Sequence, residues 1–299
     1  MAKKQSQAIF YELLRSYASL AKTLNLSKTV RELGSTRQTV RRHIALLEAK
    51  KGEKLFALED RQYRLTQAGE ESLQEAETLL TRMDAWLSNQ SDHIGGLTHL
   101  AFDPERNGSD FYYYLQQHPF GRLWQDSSEF LQFGFQSWVK SKGRIESPEF
   151  SEIRPYLMIF RQVEDNWICA EVGEKSSFST WHGWSKQRSS VGRAIKDLPD
   201  GERTARLLTQ PFRDVQTHGG MRLDHIFMYR KIEDQQEPIP TSFKRLLMGC
   251  WFPDGSFALA SLVDRTHNIK IEGLDAELAR SMPQKYVMDV DISEFSPVK

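Results

Sequence analysis

Residues 25–48 read NLSKTVRELGSTRQTVRRHIALLE. Ser27 offers its hydroxyl as the N-cap of a short helix running through Leu33. Gly34 can end that helix because glycine accepts the left-handed conformation. Thr36 then caps a following helix. In that helix Val40, Ile44 and Leu47 fall on one stripe, whereas Gln38, Arg42 and Ala45 fall on the opposite side with Arg41 beside them. One face is made for a core and the other is cationic. Two helices joined by a short glycine turn, the second opening on Thr-Arg-Gln, have the layout of a helix-turn-helix whose second helix enters a DNA major groove. A plain three-helix packing unit would show the same apolar stripe.

Upstream, Phe10, Leu13, Leu14, Tyr17, Ala18, Ala21 and Leu24 recur at steps of three and four, predicting an amphipathic helix over roughly 7–23. Downstream, Lys54-Leu55-Phe56 and Arg61-Gln62-Tyr63-Arg64-Leu65-Thr66 read as two short strands around an acidic turn at Glu59-Asp60. Together they form a wing with a basic and aromatic tip. Thr66 caps a long helix from Gln67 to about Ser88, in which Gly69 is the weak helix former. Leu73, Ala76, Leu80, Met83 and Leu87 alternate steps of three and four along it, an a/d seam that needs a partner: a second copy of the chain or the chain's own second domain.

The segment 25–48, with KLF from Lys54 and RLTQAGE from Arg64, resembles the winged helix-turn-helix of the LysR-type transcriptional regulators over about the first 90 residues. It departs from the family's frequent Ser, Gln and Pro at Thr36, Arg37 and Gln38. The resemblance implies DNA contacts at Thr36, Arg37, Gln38, Thr39, Arg41 and Arg42. The chemistry agrees, since Arg binds guanine and Gln binds adenine in a bidentate way, while Thr36 and Ser27 suit phosphates. Arg61, Tyr63 and Arg64 are the expected wing contacts, with packing under the wing as the other role open to Tyr63. The resemblance also implies a homodimer joined through the long helix and a palindromic double-stranded DNA site.

The chain has 299 residues with 40 basic and 40 acidic side chains, but residues 1–66 hold 14 basic against 6 acidic, a net of +8 that the remainder balances. A basic head on an acidic body fits a polyanionic partner. No apolar run approaches the length of a membrane span, no signal-peptide core opens the chain, and two cysteines make neither a disulfide framework nor a zinc site. These features predict a cytoplasmic protein without membrane, metal or cofactor. Walker, GxSxG, HExxH and CxxC motifs are all missing from the sequence, so an enzyme is not expected.

After Trp86 the stretch SNQSDHIGGLTH reads as a hinge, flanked by His93 and His99. Phe111–Trp124 and Glu129–Val139 read as aromatic-rich helices. Strands are predicted at Tyr156–Phe160 and Trp167–Val172, then a helical middle, then strands at 222–232, 243–252 and 256–264, the last two joined at Pro253-Asp254-Gly255. That order, with Val191-Gly192-Arg193 and RLLMGCWFPDGS, resembles a PAS-type sensor module. Phe178, Trp181, Trp184, Met228 and Trp251 are its candidate ligand-pocket residues, with core packing as their other role. His182 as a haem ligand, or Cys169 and Cys250 as flavin or redox groups, have only isolated residues behind them.

The fold class expected is α+β: an N-terminal winged helix-turn-helix (1–66), a long dimerising linker helix (67–90), a hinge and helical segment (91–150), a PAS-like antiparallel sheet with helices (151–272) and a tail (273–299). The function expected is a dimeric, sequence-specific DNA-binding transcriptional regulator responding to a small-molecule or protein effector. A DNA-anchored adaptor for a protein partner is the alternative.

Overall fold

Leu13, Leu14, Tyr17, Leu20 and Ala21 turn one face of helix α1 (Ile9–Thr23) inward, where they meet Val40, Ile44 and Leu47 of α3 (Arg37–Lys51) in one apolar cluster. The computed structural model describes residues 9–59, 62–87, 91–104, 111–125, 128–164, 166–199, 201–230 and 237–295. They fall into two units divided between Leu87 and Ser88, a head and a body.

In the head, α2 (Leu26–Leu33) precedes α3, and a hairpin of β1 (Phe56–Glu59) and β2 (Gln62–Leu65) leads into α4 (Gln67–Leu87). Gly34 ends α2 at φ +59°, with the amide of Ser35 reaching back to the carbonyl of Val30, as the sequence predicts. The N-cap differs: Asn25, not Ser27, supplies the oxygen, accepting the amides of Ser27 and Lys28 at 3.0 and 3.1 Å. Asn25 precedes the helix and its amide oxygen reaches two residues on, which leaves the Ser27 hydroxyl outside the cap.

The long helix begins as expected. Thr66 accepts the Gly69 amide at 3.0 Å and donates to the Lys54 carbonyl. Gly69 sits where a Cβ would lie 2.2 Å from the Leu55 carbonyl oxygen, so close approach of wing and helix requires a residue without a side chain. The Tyr17 hydroxyl donates to the Gly69 carbonyl, and burial followed by the charge of Glu77 pushes that phenol above its ordinary pKa. Along α4 the predicted seam finds a partner in its own head: Ala76 is buried in the head's core cluster, with Leu73, Leu80 and Met83 packed against it. Leu87, 59% exposed, and Leu79, 38% exposed, remain on the surface.

The body is built on an eight-stranded antiparallel sheet of order β3-β4-β5-β8-β9-β10-β6-β7. Its strands are β3 (Ser91–Ile94), β4 (Leu97–Phe102), β5 (Tyr113–His118), β6 (Leu157–Val163), β7 (Asn166–Val172), β8 (Met221–Arg230), β9 (Ile239–Trp251) and β10 (Phe257–Arg265). Helix α5 (Glu129–Ser141) and the segment after β10 cover one face. Helices α6 (Ser177–Ser190) and α7 (Gly201–His218) cover the other, where Phe178, Phe212 and Val215 pack on Phe160, Leu247 and Leu259.

Four expectations change. The stretch read as a hinge is in large part the β3–β4 hairpin, because Gly95 and Gly96, at φ +60° and +80°, make the two-residue left-handed turn that joins antiparallel strands. Residues 113–118 are a strand rather than a helix: Tyr113 and Tyr114 are both buried, one on each covered face, and Pro119 ends the run. The segment 91–150 therefore contributes three strands to one sheet of eight instead of standing apart from a five-stranded one. The tail is integral too, since Phe295 stacks on Phe133 at 4.4 Å and Met282 is buried. The helix at 129 and the Pro253-Asp254-Gly255 turn, with Gly255 at φ +78°, lie where the sequence places them.

Candidate nucleic-acid interface

Helix α3 presents Arg37, Gln38, Arg41, Arg42 and Ala45 to solvent while Val40, Ile44 and Leu47 are buried. Its N-terminus is fixed by Thr36, whose hydroxyl accepts the Thr39 amide at 3.1 Å and meets the Thr39 hydroxyl at 2.9 Å. Thr39 is half-buried. The guanidinium of Arg37 donates to the Ser27 hydroxyl at 2.9 Å, which brings the starts of α2 and α3 together at the same edge. Backbone amides at a helix start carry partial positive charge, so this edge adds a dipolar attraction for anions to the charge of its arginines.

Behind that surface, His43 is buried with its Nδ1 2.8 Å from the Ser16 hydroxyl. Burial first, and Arg42 second, lower its pKa from the ordinary imidazole value. This neutral ring pins α3 to α1 without adding charge to the core.

The wing is held by a residue that sequence reasoning passed over. Glu48, 8% exposed, accepts the amides of Leu55 and Phe56 at 3.0 and 3.3 Å and pairs with Lys54 at 2.6 Å. An acid inside a basic helix, seven residues before Leu55 of KLF, was the available signal. Tyr63 packs edge-on against Phe56 at 5.9 Å and is half-buried, so packing takes at least part of its ring. Arg64 is exposed and pairs with Glu59 across the hairpin at 3.2 Å, an interaction that solvent leaves weak and easily exchanged. Arg61 lies outside the described residues.

Residues 11–70 match the model of the bacterial regulatory helix-turn-helix proteins of the lysR family. The head carries a LysR-type helix-turn-helix domain. A LysR-family transcriptional regulator from Eggerthella lenta shares 31% identity, covering 22% of this chain and 94% of that one, with a TM-score of 0.21. OxyR of Corynebacterium glutamicum, as a hydrogen-peroxide-bound mutant, shares 23% identity over 26% of this chain and 24% of its own, with a TM-score of 0.26. The BenM DNA-binding domain, in its complex with catB site 1 DNA, shares 24% identity over 26% of this chain and 89% of its own, with a TM-score of 0.25. The chain thus spans about a quarter of the length of the OxyR it matches. No curated protein matches the sequence.

Beyond the LysR-type head, the five residues predicted to line a ligand pocket are not gathered into one. Met228 is paired with Thr241 and Trp251 stands ten residues further along the same strand, about 33 Å at strand rise. Trp251 and Trp184 are exposed, at 51% and 67%. Phe178 and Trp181 are buried and lie on α6, Phe178 in the core cluster between helices and sheet. His182 accepts from Arg230 at 3.1 Å, and burial together with that charge pushes its pKa down to about 3. Cys169 and Cys250 are buried, and burial pushes both thiols up to about 12, which suppresses thiolate chemistry. Val191-Gly192-Arg193 serves the sheet edge: Gly192 donates to the Cys169 carbonyl and the Cys169 amide donates to the Arg193 carbonyl, both at 2.8 Å.

No cluster of three or more metal-binding side chains occurs among the described residues, and no described helix is long and apolar enough to cross a membrane.

Proposed function

We propose that the protein is a sequence-specific DNA-binding transcriptional regulator that works as a homodimer in the cytoplasm. The observation that carries this reading is the outward face of α3, where Arg37, Gln38, Arg41 and Arg42 are exposed beside the capped starts of two helices. Arg and Gln on such a face read guanine and adenine edges, while Ser27, Thr36 and the helix starts hold phosphates. Thr39 is the half-buried member of the set. Tyr63 and Arg64 belong to the wing and, with Arg61 of the same stretch of sequence, are the proposed contacts to the backbone beside the groove. The match of residues 11–70 to the regulatory helix-turn-helix of the lysR family supports this use of the head.

Two heads on one palindromic site bind far more tightly than one. With Leu73, Ala76, Leu80 and Met83 engaged in their own head, the surface of α4 offered to a twin includes Leu79 and Leu87. The body acts as a PAS-like sensory module whose ligand shifts the affinity of the paired heads. Support comes from its strands β6, β7, β8, β9 and β10: two, then a helical insert, then three, the first lying beside the fifth. The exposed Trp184 and Trp251 favour a second reading, a DNA-anchored adaptor whose body docks a protein through its aromatic surface.

The test is fluorescence anisotropy of the full chain with fragments of its own genome at rising salt. Binding to a subset of fragments, with log affinity falling linearly against log salt, is expected. Indifference to every fragment at low ionic strength refutes the proposal.

A further inference from the structure

Strand register places Arg222, Asp224 and Arg230 of β8 on the same face of the sheet as Arg245 of β9 and Arg265 of β10, the face covered by α6 and α7. At one end the charges close on themselves. Arg222 donates to Asp224 at 2.8 Å and to Asp214 of α7 at 2.6 Å, and Arg245 donates to Asp224 at 2.8 Å. Burial pushes the Asp224 carboxyl up, but the two guanidiniums outweigh it and hold its pKa below the ordinary value.

The other end is different. Arg265 is 5% exposed and donates through Nε to the Tyr286 carbonyl at 2.7 Å, and through Nη1 to the carbonyl and hydroxyl of Ser177 and the hydroxyl of Thr180 at 2.7, 2.9 and 3.0 Å. Every one of these acceptors is neutral. Among the described residues no carboxylate bonds to it, and nothing accepts from its Nη2. Its guanidinium lies 5.6 Å from the ring of Trp181, and that of Arg230 lies 5.1 Å from the same ring. Trp181, 6% exposed, has its indole Nε1 buried with no acceptor among the described residues. His182 brings no negative charge, since its Nε2 already accepts from Arg230. Among the described residues, a buried guanidinium that donates only to neutral acceptors, with an orphaned indole N–H beside it, has the donors of an anion site.

We propose that the body binds a small carboxylate between α6 and this end of the sheet, its two oxygens accepting from Arg265 Nη2 and Trp181 Nε1. The inference rests on the reading of the body as a sensory module and names the class of its ligand. The two donors named here match in number the two oxygens of a carboxylate. Burial and the neighbouring Arg230 push the Arg265 pKa down to about 10 against the opposing charge of Asp264, a strain that a negative guest relieves.

The experiment uses the full-length chain labelled with 15N-tryptophan. The indole resonance missing from Trp181→Phe, which keeps an aromatic ring and removes the N–H, identifies Trp181. Sodium acetate is expected to move that resonance saturably, with acetamide, of the same shape and no charge, at least tenfold weaker. Inorganic phosphate acting where acetate does not overturns the carboxylate assignment. An equal response to acetamide overturns the charge argument and leaves the ligand-pocket reading standing. Silence toward all three overturns both.

Discussion

Arg42 and Gly69 show at single positions how the head divides recognition from stability. Arg42 is exposed on α3 with no ion pair among the described residues, so Arg42→Ala removes charge from the groove face and replaces it with the best helix former. DNA affinity is expected to fall while Tm stays within error. A loss of about 1–3 kcal/mol confined to one base position marks a base contact, whereas a uniform loss with a salt slope smaller by about one marks a phosphate contact. Unchanged affinity would remove Arg42 from the interface. Gly69→Ala works in the opposite direction. Alanine gains about 1 kcal/mol of helix propensity over glycine, but its Cβ would stand 2.2 Å from a backbone carbonyl that the Thr66 amide also holds. A backbone oxygen cannot rotate aside, so overpacking costing about 1–3 kcal/mol prevails and the head's Tm falls. Denaturant unfolding that shows Gly69→Ala to be the more stable form would contradict this packing.

At the scale of elements, the head was legible because its helices bury one side only, which leaves the three-and-four periodicity of Leu13 to Ala21 and of Val40 to Leu47 intact in the sequence. The body was less so, for a physical reason. Both faces of its sheet are covered, so consecutive residues such as Leu246, Leu247 and Met248 are all buried and the alternation that marks a strand vanishes. The same effect made Tyr113 to Leu115 look helical, and polar Ser91 to Ile94 gave no sign that it flanks a hairpin turn. Helix α4 carries a further lesson. Its seam was read correctly as apolar, but periodicity names no partner, and the head's own core claims Leu73 through Met83. Two substitutions separate the roles: Leu80→Glu is expected to lower the head's Tm by disturbing that core, while Leu87→Glu leaves Tm unchanged and moves sedimentation toward the monomer. A dimer mass retained by Leu87→Glu combined with Leu79→Glu would exclude this stretch of α4 from the interface.

Over the whole molecule, the basic head and acidic body separate two kinds of electrostatics: surface charge aimed at a polyanion, and buried charge arranged within the sheet. Two imidazoles, the half-buried His182 and the buried His43, respond to acid. His182 in the body has its pKa pushed from 6.5 to about 3, and His43 in the head is lowered as well, each first by burial. Between those values the folded state binds fewer protons than the unfolded chain. Their contribution to stability is therefore complete above about pH 6.5 and is lost progressively as pH falls toward the folded value. The slope for His182 is at most about 1.4 kcal/mol per pH unit and is reduced by partial solvent screening of the ring. Six of the seven tryptophans lie in the body, so indole fluorescence follows its unfolding separately from the head. His182→Gln keeps an acceptor for Arg230 but cannot titrate. Its midpoint of unfolding should decline less steeply than wild type between about pH 6.5 and 4, with the two curves parallel above about pH 7. Equal slopes on the acid side would mean that the ring is protonated in the folded body and that Arg230 does not donate to it.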